Sequence, residues 1–221
     1  NFPDVNNTAE RVYGGDLQGN LWRFDINDDL PPDGYGAQRL ATLTDPAGKP
    51  QPITTRPELG KVRNYPVVFI GTGKLLGPSD FNPIHDAAPK FQQQSFYAIK
   101  DRLAEVDYGD PRKAKLTKEG QAISAFNSWT LVAGSCPEGV PFCRALQTTV
   151  SAPGPRKLDS ETSEQYAARL EQTREQAISD AMGPYNDGWY IDLPSDGEQS
   201  NTDPNLQRGS VVFTSNRPLE G

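Results

Sequence analysis

Oxygen-bearing side chains alternate through the first ten residues: Asp4, Asn6, Thr8 and Glu10 in "DVNNTAE". Alternating oxygens are how a calcium loop wraps its ion. The loop lacks the central glycine and the distant bidentate glutamate of an EF-hand, so a polar turn leading into a strand is the other reading. "DINDD" and "PSDGEQSNTDP" read as acidic turns. Cys136 and Cys143 enclose "CPEGVPFC", a loop short enough to close as a local disulfide, which would imply an oxidising compartment. Two reduced thiols in a loop are the alternative. With His85 the only histidine, a zinc site lacks ligands.

The remaining candidates fail on spacing. "FIGTGKLLG" has Val68 where a phosphate-binding loop needs glycine, and Leu75 where it needs a hydroxyl after Lys74. Gly71, Gly73 and Gly77 do not have dinucleotide-fingerprint spacing, and "PSDFNP" cannot open a helix. His85 beside Asp86 has no nucleophile elbow to serve. The 29 carboxylates make chance acid pairs inevitable, and none stands out for glycoside chemistry. No catalytic residue is predicted, and the glycine-rich stretches read as backbone turns.

The elements around these residues are mostly short strands. Gly and Pro number 20 each and only 35% of residues are hydrophobic, which favours β structure with long loops. "RVYGGDLQGNLWRFDI" predicts a hairpin over residues 11–26, with Asp16 accepting from turn amides, Gly19 at positive φ and Trp22 between layers. Gly14 and Gly15 are expected to let neighbouring strands approach. "YPVVFIGTG" and "QSFYAIKD" predict a second pair, so Trp22 and Phe24 match Tyr97 and Ile99, and "RGSVVFTSN" begins a third. Repetition of one hairpin unit points to propeller blades. A helix is expected over 159–182, with a Thr162–Gln165 capping box and an end at Gly183–Pro184. It falls within an insertion, 103–187, between blade residues 1–102 and returning strands 188–221. An insertion of that length on a rigid scaffold predicts a recognition surface. Net charge is −7, without the basic patch of a nucleic-acid binder. No apolar run reaches the ~20 residues of a membrane span. The start at Asn1 reads as a processed chain or an excised piece.

"VYGGDLQGNLWRFDI", "ITTRPEL", "YPVVFIGTGKLLG", "QSFYAIKD", "GWYIDLP" and "GSVVFTSN" together resemble the C-terminal β-propeller of PilC/PilY-type type IV pilus tip proteins, in that family's order. The resemblance implies a mainly β, quinoprotein-like propeller of four-stranded blades, present here in part. It implies a secreted, non-enzymatic protein at the pilus tip and outer-membrane surface. Such a protein promotes pilus assembly, opposes retraction, and mediates adhesion and twitching motility. Pilins or minor pilins, a host-surface receptor and the rest of the parent propeller are the implied partners. The family's calcium loop, aligned backwards from Arg11, puts its last acid at Glu10, earlier ones at Asn6 and Asp4, and Phe2 at the first. One ligand is therefore missing and others are altered, which lowers the expected calcium affinity. Two further readings stay open: a structural calcium-binding segment, and a quinone-cofactor dehydrogenase. The second needs adjacent cysteines, and Cys136 and Cys143 are not adjacent.

Overall fold

The computed structural model describes residues 10–62, 64–77, 80, 91–118, 121–124, 126–134, 138, 144–147, 162–166, 169, 187–207 and 210–217. The chain is mainly β. Its strands are β1 (Arg11–Gly15), β2 (Asn20–Asp25), β3 (Ala37–Thr42), β4 (Glu58–Val62), β5 (Tyr65–Gly71), β6 (Ser95–Lys100), β7 (Ala114–Lys118), β8 (Gln121–Ser124), β9 (Phe126–Ala133), β10 (Arg144–Gln147), β11 (Gly188–Asp192), β12 (Asn205–Gln207) and β13 (Ser210–Val212). They form a three-stranded sheet, β1-β2-β3, and a six-stranded sheet, β10-β9-β11-β6-β5-β4. Two-stranded ribbons, β12-β13 and β7-β8, complete them. Every pairing is antiparallel except β9 with β11.

Alternation along the central strands buries both faces of the six-stranded sheet. Val68, Ile70, Tyr97 and Ile99 face one cluster, which they share with Tyr13, Leu21, Leu40 and Leu43 of the three-stranded layer. Val67, Phe96, Ala98, Trp189 and Ile191 face a second cluster, closed by Val211 and Phe213. There the Trp129 and Trp189 rings stack at 4.7 Å, and Phe96 stacks on Phe213 at 4.0 Å. Strands buried on both faces read as near-continuous apolar runs, and "PVVFIG" and "SFYAI" are such runs. The two layers and the β12-β13 ribbon are thus stacked sheet on sheet.

The expected hairpins are present. β1 pairs with β2 and β5 with β6, each antiparallel. In the first turn, Asp16 Oδ1 accepts from the amides of Gln18 (2.8 Å) and Asn20 (2.9 Å), and Oδ2 accepts from Trp22 Nε1 at 3.0 Å. Burial alone would raise the Asp16 pKa, but these hydrogen bonds outweigh it and hold the carboxyl below its ordinary value. Gly19 has φ +76°. A Cβ on Gly15 would lie 2.2 Å from Ile53, so close approach requires glycine there, whereas Gly14 has open space.

The faces of β2 differ from expectation. Leu21, Arg23 and Asp25 point inward, and the aromatic side is outward, with Trp22 half-buried and Phe24 and Ile26 exposed. Trp22 is therefore held by Asp16 at the turn, and the inward side is fixed by an ion pair described below. The loop after β2 contains a cis Pro31–Pro32 bond. β3 and β4 form in the stretch between the two predicted hairpins, where no strand was expected. The third unit also differs: β13 pairs back onto β12, and Asn216 bridges to Gln199. Among the described residues no sheet closes on itself, and the main sheets have three and six strands rather than four. Part of the 103–187 segment belongs to the scaffold, because β9 and β10 extend the six-stranded sheet. Of the expected helix, 163–166 and 169 are helical. Its capping box is reciprocal: the Gln165 amide donates to Thr162 Oγ1 at 3.2 Å, and the Thr162 amide to Gln165 Oε1 at 2.9 Å. The remaining expected helix lies outside the described residues.

Candidate functional site

The 103–187 segment leaves after β6 and returns at β11, two strands that are neighbours in the sheet. Its two ends therefore meet at one place, and an aspartate guards each. Asp101 follows β6 and is 1% exposed. Its Oδ1 accepts from Arg23 Nη1 and from the Leu103 amide, each at 2.8 Å. Its Oδ2 accepts from the Tyr13 hydroxyl at 2.7 Å. Arg23, also 1% exposed, donates through Nη2 to Pro31 O at 2.5 Å. The pair thus ties the three-stranded layer, through β1 and β2, to the point where the segment departs.

Asp187 precedes β11 and is 3% exposed. Arg102 contacts its Oδ1 through Nε at 2.7 Å and Nη2 at 2.5 Å. Tyr108 donates to Lys100 O at 2.8 Å and lies 3.3 Å from Asp187 Oδ1. The Tyr108 ring meets Phe126 edge-on at 5.3 Å. The main chain here runs along β3, with the Tyr108 amide donating to Leu40 O and the Thr42 amide to Gly109 O, each at 2.8 Å. Further on, Arg112 binds Thr44 O and both Asp192 oxygens, and donates to Ser95 Oγ at 2.8 Å. Its guanidinium stacks over Tyr190 at 4.5 Å. Tyr97 donates to Gln51 Oε1 at 2.7 Å within the same network. On the far side, Arg144 of β10 reaches Glu198 and donates to Ser195 Oγ at 3.0 Å.

Electrostatics follow burial. Burial, reinforced by Asp101, pushes the Tyr13 hydroxyl far above the usual tyrosine range. Burial does the same at Tyr108, with help from Asp187, and at Tyr97. Burial alone would lower Arg102, but the hydrogen bond and charge of Asp187 raise it. Arg112 is raised in the same way by Asp192 and Tyr97, against its own desolvation. These groups hold fixed charge states at neutral pH and are suited to positioning the segment.

The sequence-predicted residues are distributed differently. Asp4, Asn6, Cys136, Cys143 and His85 lie outside the described residues. Glu10 is described, and its carboxylate pairs with Arg11 at 2.9 Å while its carbonyl accepts from the Ile26 amide. Among the described residues no group of three or more His, Cys, Asp or Glu could hold a metal. None of their helices is long and apolar enough to cross a membrane. Sequence reasoning missed Arg23, Asp101, Arg112 and Asp187. One signal was available for Arg23: a guanidinium and a carboxylate alternating opposite an aromatic face, which leaves open which face is inside.

No family model matches the chain. It is 36% identical over 115 residues to the type IV pilus biogenesis factor PilY1 of Pseudomonas aeruginosa, covering 42% of this chain and 10% of that protein. It is 27% identical over 219 residues to a PilY1 homolog of Xylella fastidiosa, covering 96% of this chain and 13% of the relative. The chain therefore spans about a tenth of the length of these relatives. The crystal structure of the Pseudomonas aeruginosa PilY1 C-terminal domain matches with a TM-score of 0.60 at 21% identity, over 97% of this chain and 43% of that one. The chain is thus similar in sequence, along nearly its whole length, to PilY1-type proteins, and similar in fold to the C-terminal domain of one of them.

Proposed function

We propose that this chain is a non-enzymatic module of a type IV pilus biogenesis factor, acting by binding other macromolecules at the cell surface. The observation that carries the reading is the likeness to a PilY1 homolog across 96% of the chain. The stacked layers act as a stiff frame, and the segment rooted at Asp101 and Asp187 is the part displayed to a pilin or to a host surface. Pilus-tip location, retraction control and twitching motility belong to the same proposal. The parent protein supplies further blades of a propeller. In support, the outward face of β2 corresponds, by the hairpin repeat, to the face of β6 that carries Tyr97 and Ile99. Those two residues are covered by a neighbouring layer, whereas Val12, Phe24 and Ile26 are 49%, 42% and 47% exposed.

The test must spare the scaffold. Removing all of 103–187 would take β9, Phe126 and Tyr108 out of the sheet and core. Replacing only residues 148–186 with a short Gly/Ser linker in the parent protein leaves the described strands in place. Piliation and attachment are then scored separately. Attachment should fall while piliation persists. If neither changes, the replaced stretch is not the recognition surface.

A further inference from the structure

Three Asp-Gly dipeptides occur in the chain: Asp33–Gly34, Asp187–Gly188 and Asp196–Gly197. In such a pair the glycine amide nitrogen can attack the carboxyl carbon of the aspartate, because glycine has no Cβ to crowd its own nitrogen. The protonated carboxyl gives up its hydroxyl, the amide gives up its hydrogen, and the two leave as one water. A five-membered succinimide ring remains. Water then opens the ring at either carbonyl. Opening at the side-chain carbonyl restores aspartate. Opening at the main-chain carbonyl routes the backbone through the side chain, as a β-aspartyl link. Composition and charge are unchanged, and the backbone is one carbon longer. The reaction requires a carboxyl that is free to swing and an amide that is free to be reached.

The fold withholds both at two of the three places. Asp187 is 3% exposed, its Oδ1 is held by Arg102 and faced by Tyr108, and Gly188 is paired between Ile99 and Phe126. Asp196 is exposed, but its Oδ1 accepts from the Phe91 amide at 3.1 Å. Gly197 is buried there, and a Cβ on it would lie 2.9 Å from the Phe91 ring. Asp33 differs at every point. It and Gly34 are exposed in the turn between β2 and β3. Among the described residues, neither the Asp33 carboxylate nor the Gly34 amide has a hydrogen-bond partner. A Cβ on Gly34 would meet nothing within 4 Å. The turn is pinned on either side of them. Arg23 Nη2 donates to Pro31 O at 2.5 Å, and the Tyr35 amide donates to Asp28 Oδ1 at 2.8 Å. We infer that Asp33–Gly34 is a self-modification site, at which the folded chain rearranges to a β-aspartyl link. One extra carbon between the two anchors shifts the exposed one, from Tyr35 to Asp28. That shift re-aims the Tyr35 ring, which is 66% exposed, while the buried Arg23 stays in place. The inference does not depend on the pilus reading.

Ageing the full parent protein at neutral pH, folded and in urea, tests it. Tryptic cleavage after Arg23 and Arg39 releases residues 24–39 as one peptide. Electron-transfer fragmentation then tells a β-aspartyl link from an ordinary one. In the folded protein Asp33 should convert at least about tenfold faster than Asp187 or Asp196, which must wait for local opening. In urea the three should convert at similar rates, because only the fold separates them. Asp33→Glu should abolish the conversion, since a six-membered ring closes far more slowly, and should leave the melting temperature unchanged at this exposed position. Equal rates at the three places in the folded protein overturn the proposal. An Asp33 that stays unconverted when folded overturns it too, whatever happens in urea. So does a β-aspartyl link that persists in the 24–39 peptide of Asp33→Glu, since it then arises at Asp25, Asp28 or Asp29.

Discussion

Single side chains fix the junction of the layers, and two of them make sharp predictions. Arg23 and Asp101 are each 1% exposed and 2.8 Å apart. Asp101→Ala leaves the buried Arg23 charge without its carboxylate and the Tyr13 hydroxyl without its acceptor, although Arg23 keeps Pro31 O. Breaking one side of a buried pair typically costs about 3–5 kcal/mol. Urea unfolding should show that loss, while the Arg23→Met, Asp101→Leu double variant should lose far less, because no charge is stranded. Glu198 is the second case. Burial alone would raise its pKa, but hydrogen bonds from Arg144, Ser215 and the Ser195 amide bring it below the ordinary 4.5. A depressed carboxylate contributes stability that is complete above its unfolded pKa and is lost as pH falls through the folded value. Acid titration of Glu198→Gln should therefore show a flatter stability profile below about pH 5, with the difference from the parent chain vanishing at the acid end. None of these pairs was legible in the sequence. Their partners are 78 residues apart for Arg23 and Asp101 and 54 apart for Arg144 and Glu198, and no local spacing encodes such contacts.

At the scale of elements, the hairpins were legible and the connections between them were not. β1, β2, β5, β6 and β11 coincide with apolar or alternating runs, because a doubly covered strand must be apolar on both sides. β4, with its Gly60, and β10 are short and have mixed composition, so their place in the sheet comes from pairing with neighbours rather than from their own pattern. β2 shows the limit of alternation. Period two correctly separates Trp22 and Phe24 from Arg23 and Asp25, yet the face with the arginine is inside. The inward Arg23 is tolerable only because Asp101 and Pro31 O arrive from other elements. The adjacent glycines of β1 offer a paired test of close approach. Gly15→Ala places a methyl 2.2 Å from Ile53 and should cost about 1–3 kcal/mol by overpacking. Gly14→Ala, with nothing within 4 Å, should be close to neutral in the same thermal melt.

At the scale of the whole molecule, the stack is unequal at its two ends. The six-stranded sheet is covered on both faces, whereas the three-stranded sheet presents Val12, Phe24 and Ile26 outward. If the parent protein continues the stack there, Phe24→Asp should behave in it as a core substitution and destabilise by about 2 kcal/mol or more. An unchanged melting temperature in the parent would mean that the face is wet and the ring reading is wrong. The meeting of both ends of the displayed segment at β6 and β11 has a mechanical consequence. If that segment grips a target as proposed, a pull on it loads the two neighbouring strands from the same end. Such a load draws the two strands in the same direction, so it shears β6 along β5 and β11 along β9 rather than peeling β6 and β11 apart. On the proposed reading, the Asp101 and Asp187 clusters are the first groups such a load meets.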